Sequence, residues 1–251
     1  MKKITACVLF VSFVVLSATA VRADALVGNV AQYTWSSIVS DNTVHNVYVT
    51  PMRVTNLTTE QQDFLLFCGD FNTSTSAAYS TTGQNYDAFA LSSSSVDFYT
   101  DLQKSRINDL FGHAYAVAFD LAGTILDSNY AQAIQLSIWS ILHESTDNYN
   151  ILEGSFYLSG NYTTGVVDLT NRLLEAALGA VSWESIGLND SAHYDLTVYV
   201  AEGGRSVSQT LISVTGTPNR EPTIGPVPEP ATILMFGLGL AGLGLARRRR
   251  R

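Results

Sequence analysis

Two short apolar runs sit at opposite ends of the chain and confine any folded body to the stretch between them. The first, Ile4 to Leu16, follows Lys2-Lys3 and leads into the small residues Ala18-Thr19-Ala20 and Val21-Arg22-Ala23. A charged start, a short apolar core and a small-residue exit make a secretory signal peptide over residues 1–23. The second run, Ala231 to Ala246, is followed by five arginines, Arg247 to Arg251. As a helix it reaches about 24 Å, a little under the hydrocarbon thickness of about 30 Å, and snorkelling arginines extend it. We expect a single transmembrane helix over 231–246, with the Arg cluster 247–251 in the cytoplasm. The body is then exported, and the inner membrane holds the precursor.

Charge follows the same partition. The whole chain carries −8 at pH 7, but residues 24–226 hold 21 acids against six bases, a formal −15. Only one of those bases is a lysine, Lys104. A strongly acidic body without a basic stripe is a poor nucleic-acid binder. Of the two cysteines, Cys7 leaves with the signal peptide, so the mature protein keeps Cys68 alone. That excludes a disulfide scaffold and a Cys-rich zinc site. No D-x-D-x-D-G loop appears, so neither a metal nor a cofactor is expected.

The body predicts one domain over 24–217, followed by a Pro-rich linker over 218–230. Val44 to Val54 (VHNVYVTPMRV) alternates and is β-branched, an early strand broken at Pro51. Asp63 to Phe71 (DFLLFCGDF) is a second strand, carrying Cys68. The Ser- and Thr-rich stretch Thr73 to Ser95 predicts a loop, a weak strand or a flap. Helical spacing covers Val96 to Phe111, with Phe98, Leu102, Ile107, Leu110 and Phe111 on one face, Ser95 as cap and Gly112 as stop. Asn129 to Glu144 is the strongest helix, and Asp168 to Val181 is a third. His193 to Ala201 and Ser208 to Val214 flank Gly203-Gly204 as a hairpin. The fold class is α+β: β-sandwich or barrel-like strands with an inserted helical part.

An unpaired cysteine in an exported chain needs an explanation. A buried hydrophobe or an intermolecular disulfide would suffice. A sharper reading needs a partner, and Gln135 supplies one. It lies on the broad apolar face of the strongest helix, where a side-chain amide is costly to bury alone. If the Cys68 thiol attacks that amide, ammonia leaves and a thioester bridges strand to helix. Gln132 lies one turn earlier on nearly the same face, and the helical pattern alone does not choose between them. Asp70, two residues past Cys68, would share its face on a continuous strand. Phe67, Phe71 and Trp139 are candidate shields against water. His113 and His143 are the candidate proton carriers, and with Cys68 they also define a rival cysteine-hydrolase reading.

The aromatic-Cys segment Phe67-Cys68-Gly69-Asp70 and the helix segment Gln135-Leu136-Ser137-Ile138-Trp139 resemble the bacterial surface thioester-domain family. Arg106 to Leu110 also resembles that family's intervening helix. The resemblance covers residues 60 to 145 and selects Gln135; Ser137 departs from the alanine common there. It implies a Cys68–Gln135 thioester, supported by Asp70 and Trp139. The bond would acylate a surface nucleophile or an extracellular polysaccharide once, so the protein is not an enzyme. The alternative is a non-covalent structural or exopolysaccharide-associated protein in which both residues are core. The tail Pro228-Glu229-Pro230, apolar run and Arg cluster resembles the PEP-CTERM sorting signal of exopolysaccharide-producing Gram-negative bacteria. That implies recognition by an exosortase, removal of the tail, and a cell-surface or biofilm-matrix destination.

Overall fold

A computed structural model of the chain describes residues 24–29, 35–40, 43–49, 51–56, 61–70, 84–120, 122–144, 146–160, 162–205 and 208–219. The expected signal peptide over 1–23, the Pro228-Glu229-Pro230 segment, the apolar run over 231–246 and the arginines lie outside the described residues. So do Phe71 and the first part of the Ser- and Thr-rich stretch. No helix among the described residues is long and apolar enough to cross a membrane.

Six antiparallel strands close into a barrel: β1 (Asp24–Asn29), β4 (Met52–Asn56), β5 (Gln61–Cys68), β9 (Leu211–Asn219), β8 (His193–Ala201) and β6 (Gln84–Ala90), in that order around the ring. A separate three-stranded sheet has β2 (Trp35–Ser40) between β3 (Thr43–Tyr48) and β7 (Phe156–Gly160). Three helices, α1 (Asp101–Ala118), α2 (Ser128–His143) and α3 (Thr164–Ala177), are inserted between β6 and β8. The architecture is mixed α and β, as the sequence predicts.

The break at Pro51 separates two strands that join different sheets. Proline has no N–H for a ladder, and here it marks the crossing from β3 to β4. The predicted hairpin forms as β8 and β9, paired from His193↔Asn219 to Tyr199↔Leu211. Of the alternatives for the Ser- and Thr-rich stretch, Gln84–Ala90 forms a strand, β6, which pairs with β1 and β8 and buries Tyr86.

The first helix departs most from its predicted bounds. It starts at Asp101, not near Val96, because Thr100 and Gln103 form a capping box there. Ser95 does not cap it. Gly112 does not stop it either; the helix runs on to Ala118. A Cβ at Gly112 would come within 2.9 Å of the Ala192 carbonyl oxygen, and the Ala192 N–H donates to Gly112 O at 2.9 Å. The glycine serves a close approach between backbones rather than a termination. Leu102, expected inward, is 58% exposed. It lies five positions before buried Ile107, about 140° around the helix.

The second helix matches its prediction to one residue at each end, with Asp127 accepting from the N–H groups of Asn129 and Tyr130. The third begins four residues early, capped by Thr163, and buries Leu173 and Leu174. Phe67 of β5 enters an edge-to-face aromatic cluster on α1, its ring 5.0 Å from Phe111 and 5.6 Å from Phe119. This cluster fixes the barrel wall at β5 against the helices.

Candidate functional site: a glutamine amide at the end of a barrel strand

On one edge, β5 pairs with β4 only as far as Leu66, opposite the first β4 residue, Met52. On its other edge the pairing continues into β9, with Cys68 opposite Leu211 and the Gly69 N–H donating to Thr210 O at 2.7 Å. On the β4 side, the Cys68 N–H and C=O lie just beyond the Met52–Leu66 pair. Gln135 of α2 meets them there. The Cys68 N–H donates to Gln135 Oε1 at 2.8 Å, and Gln135 Nε2 donates to Cys68 O at 2.9 Å.

Both residues are buried, Gln135 completely. The amide is thus satisfied in both senses, which removes the penalty its burial would carry. Its carbon, bonded to both polar atoms, is held opposite the Cys68 backbone. Gln132 does not reach this place; its Nε2 donates back to Ser128 O within the helix at 3.1 Å.

Asp70 is not on a strand with Cys68, because β5 ends at Cys68 and the chain bends at Gly69. Its buried carboxylate instead accepts from the Thr210 N–H at 3.1 Å. Arg205 approaches that carboxylate to 4.0 Å and lies over the Phe98 ring, 4.6 Å from its centroid. Asp70 ties the residue after the strand end to the entry of β9. A Cβ at Gly69 would collide with the Tyr99 hydroxyl, which donates to Gly69 O at 3.2 Å.

Successive strand residues face opposite ways, so Phe67 points into the α1 cluster and away from the thiol side. Trp139, one turn beyond Gln135, is buried with its ring 6.4 Å from Phe156 of β7. Two buried tyrosines, Tyr86 and Tyr99, also lie near this strand end. Tyr86 shares a 2.7 Å hydrogen bond with Ser208. No sequence spacing singles out these tyrosines; barrel closure through β6 and the turn before α1 bring them in. The two candidate histidines are engaged elsewhere. His113 stacks on Trp183 at 4.6 Å, with Nδ1 3.1 Å from Leu188 O, and His143 stacks on Phe156.

Burial pushes the Tyr86 and Tyr115 hydroxyls up from 10.0 to about 12 and raises Tyr99 as well. In the unfolded chain these groups lose their protons near pH 10. Between about pH 10 and 12 the unfolded state therefore binds fewer protons than the folded one, and stability falls as pH rises. Urea melts at stepped pH should show a flat plateau below about pH 10 and a decline above it. Phenolate absorbance should lag in native protein and catch up on unfolding.

The tail matches the PEP-CTERM protein-sorting motif over residues 226–251, a segment outside the described residues. That motif implies an exported, exosortase-dependent surface protein. No curated protein matches the chain. Among solved structures, the chain is similar to the N-terminal thioester domain of the fibronectin-binding protein SfbI from Streptococcus pyogenes. There the identity is 16%, covering 74% of this chain and 96% of that one, with a TM-score of 0.43. It is also similar to the N-terminal domain of the Streptococcus pyogenes pilus tip adhesin Cpa, at 14% identity, 76% and 98% coverage and a TM-score of 0.44. A third is the N-terminal thioester domain of a surface protein from Clostridium perfringens, at 12% identity, 66% and 89% coverage and a TM-score of 0.41.

Proposed function

We propose that this chain is an exported adhesion protein whose Cys68 and Gln135 form an internal thioester and spend it once on a surface target. The observation that carries this reading is the Gln135 amide seated on both backbone groups of Cys68. The thiol sulfur adds to the amide carbon, and the charge that develops on Oε1 is held by the Cys68 N–H at 2.8 Å. The C–N bond then breaks, and nitrogen leaves as ammonia with the thiol proton. The acyl group is now activated, and the burial of the site keeps water from it. A target amine or hydroxyl attacks the same carbon, takes the acyl group and returns the thiol. No turnover follows, so the protein acts as a single-use covalent linker rather than an enzyme.

The sorting motif supports a surface location for the protein. An exosortase recognises the tail after the inner membrane has held it, and the body is released to the cell surface or an exopolysaccharide matrix. There a polysaccharide hydroxyl or a protein amine is the expected acceptor. Intact mass of the purified body tests the reading. The expected result is a mass lower than the sequence value by one ammonia, with methylamine adding its own mass and freeing one thiol. A full sequence mass with an intact amide would overturn it, leaving the Gln135–Cys68 pair as a ladder cap in a non-covalent matrix protein.

A further inference from the structure

We infer that no target attached at Gln135 can rebuild the pairing with Cys68 that thioester formation removes, and that ammonia alone restores it. The inference rests on the thioester reading and follows from the two hydrogen bonds. Both end on one residue: Oε1 accepts from the Cys68 N–H, and Nε2 donates to the Cys68 carbonyl. A primary amide nitrogen has one hydrogen on the carbonyl-oxygen side and one on the far side. Only the first reaches Cys68 O while Oε1 keeps its bond to Cys68 N.

Thioester formation removes that hydrogen with the departing ammonia, and target capture does not return it. When a primary amine adds to the thioester carbon, the C–S bond breaks, the sulfur leaves as thiolate, and the amine's surplus proton passes to it. The product is a secondary amide. In the trans arrangement such amides adopt, the substituent lies on the carbonyl side and the one remaining N–H points away. The first carbon of the target then occupies the place of the donating hydrogen, against the Cys68 carbonyl. An ester with a hydroxyl target has no N–H to donate and meets the same obstruction. Gln135 is fully buried between α2 and the barrel, so the substituent has no free space there.

The pair therefore parts. The Cys68 carbonyl does not regain the Gln135 donor, and the regenerated thiol is no longer tied to the acyl carbon. Ammonia behaves differently, because its adduct is glutamine itself, with both hydrogens present. Capture of a target thus loosens the contact between β5 and α2 as it fixes the target, and Cys68 emerges as an accessible thiol.

The experiment opens the thioester in two portions of native body, one with ammonia and one with methylamine. Intact mass is read before opening and after removal of the reagent. The rate of the thiol with Ellman's reagent and the melting temperature are then compared. Loss of one buried hydrogen bond of ordinary net strength shifts an equilibrium roughly tenfold. The methylamine form should accordingly react about tenfold faster and melt lower, with the thiol of the ammonia form protected. Equal rates and equal melting temperatures in two fully opened samples would overturn the inference while the thioester stands. Starting protein that lacks the ammonia deficit would overturn the thioester reading itself, and this inference with it.

Discussion

Gln135→Ala should give a body with its full sequence mass and a stability loss of about 3 to 5 kcal/mol. The mass follows because no acyl group remains for Cys68. The stability loss has two sources. Truncation leaves a cavity at a fully buried position, and it removes two hydrogen bonds to the buried Cys68 backbone. Gln135→Glu separates these effects. Its shape is retained, but an ionised carboxylate would set an oxygen against the Cys68 carbonyl. The folded state therefore favours the protonated acid, and this variant should lose stability as pH rises through the carboxyl range. Urea melts and intact mass check both variants. A Gln135→Ala protein that kept the mass deficit, or lost less than about 0.5 kcal/mol, would contradict the assignment of the amide to Cys68.

Trp139→Ala should destabilise the body by about 3 to 5 kcal/mol while the folded fraction retains the ammonia deficit. Trp139 is almost fully buried and packs on Phe156, so it links α2 to the three-stranded sheet. Its ring is a wedge between layers. Trp139→Phe should recover most of the loss, since an aromatic body still meets Phe156. Denaturant midpoints and mass on the same samples check this. Loss of the deficit in a variant of unchanged stability would make the indole a direct shield of the thiol instead.

The helical residues were the most legible part of the fold. The apolar face of α2 placed Gln135 inward without help from tertiary structure, and β5, β8 and β9 followed from alternation and a Gly-Gly turn. What stayed hidden has identifiable causes. β6 lies within a Ser- and Thr-rich tract whose composition does not decide between loop and strand, and its pairing to β1 and β8 is long-range. β2 (WSSIVS) and β7 (FYLSG) are short and mix small polar with apolar residues, so their strand character comes from each other. Gly112 resembled a helix stop because a close approach between backbones, like a terminus, selects for a missing Cβ. Within the site, Cys68 and Gln135 were legible as residue types in a suitable order. Their juxtaposition depends on how α2 docks against β5, and the flanking Tyr86 and Tyr99 depend on barrel closure; neither is encoded in local spacing.

The Gln135–Cys68 contact spans 67 residues, and β6 and α1 lie inside the loop it closes. Bringing such distant positions together requires loop-closure entropy before any reward is collected. A covalent bond between these residues would therefore date the chain: it closes only after a barrel strand and two helices have found their places. Ammonia release, followed in real time during refolding from urea, then becomes a clock for completed assembly, and molecules that collapse without docking α2 on β5 would be recognisable by mass alone.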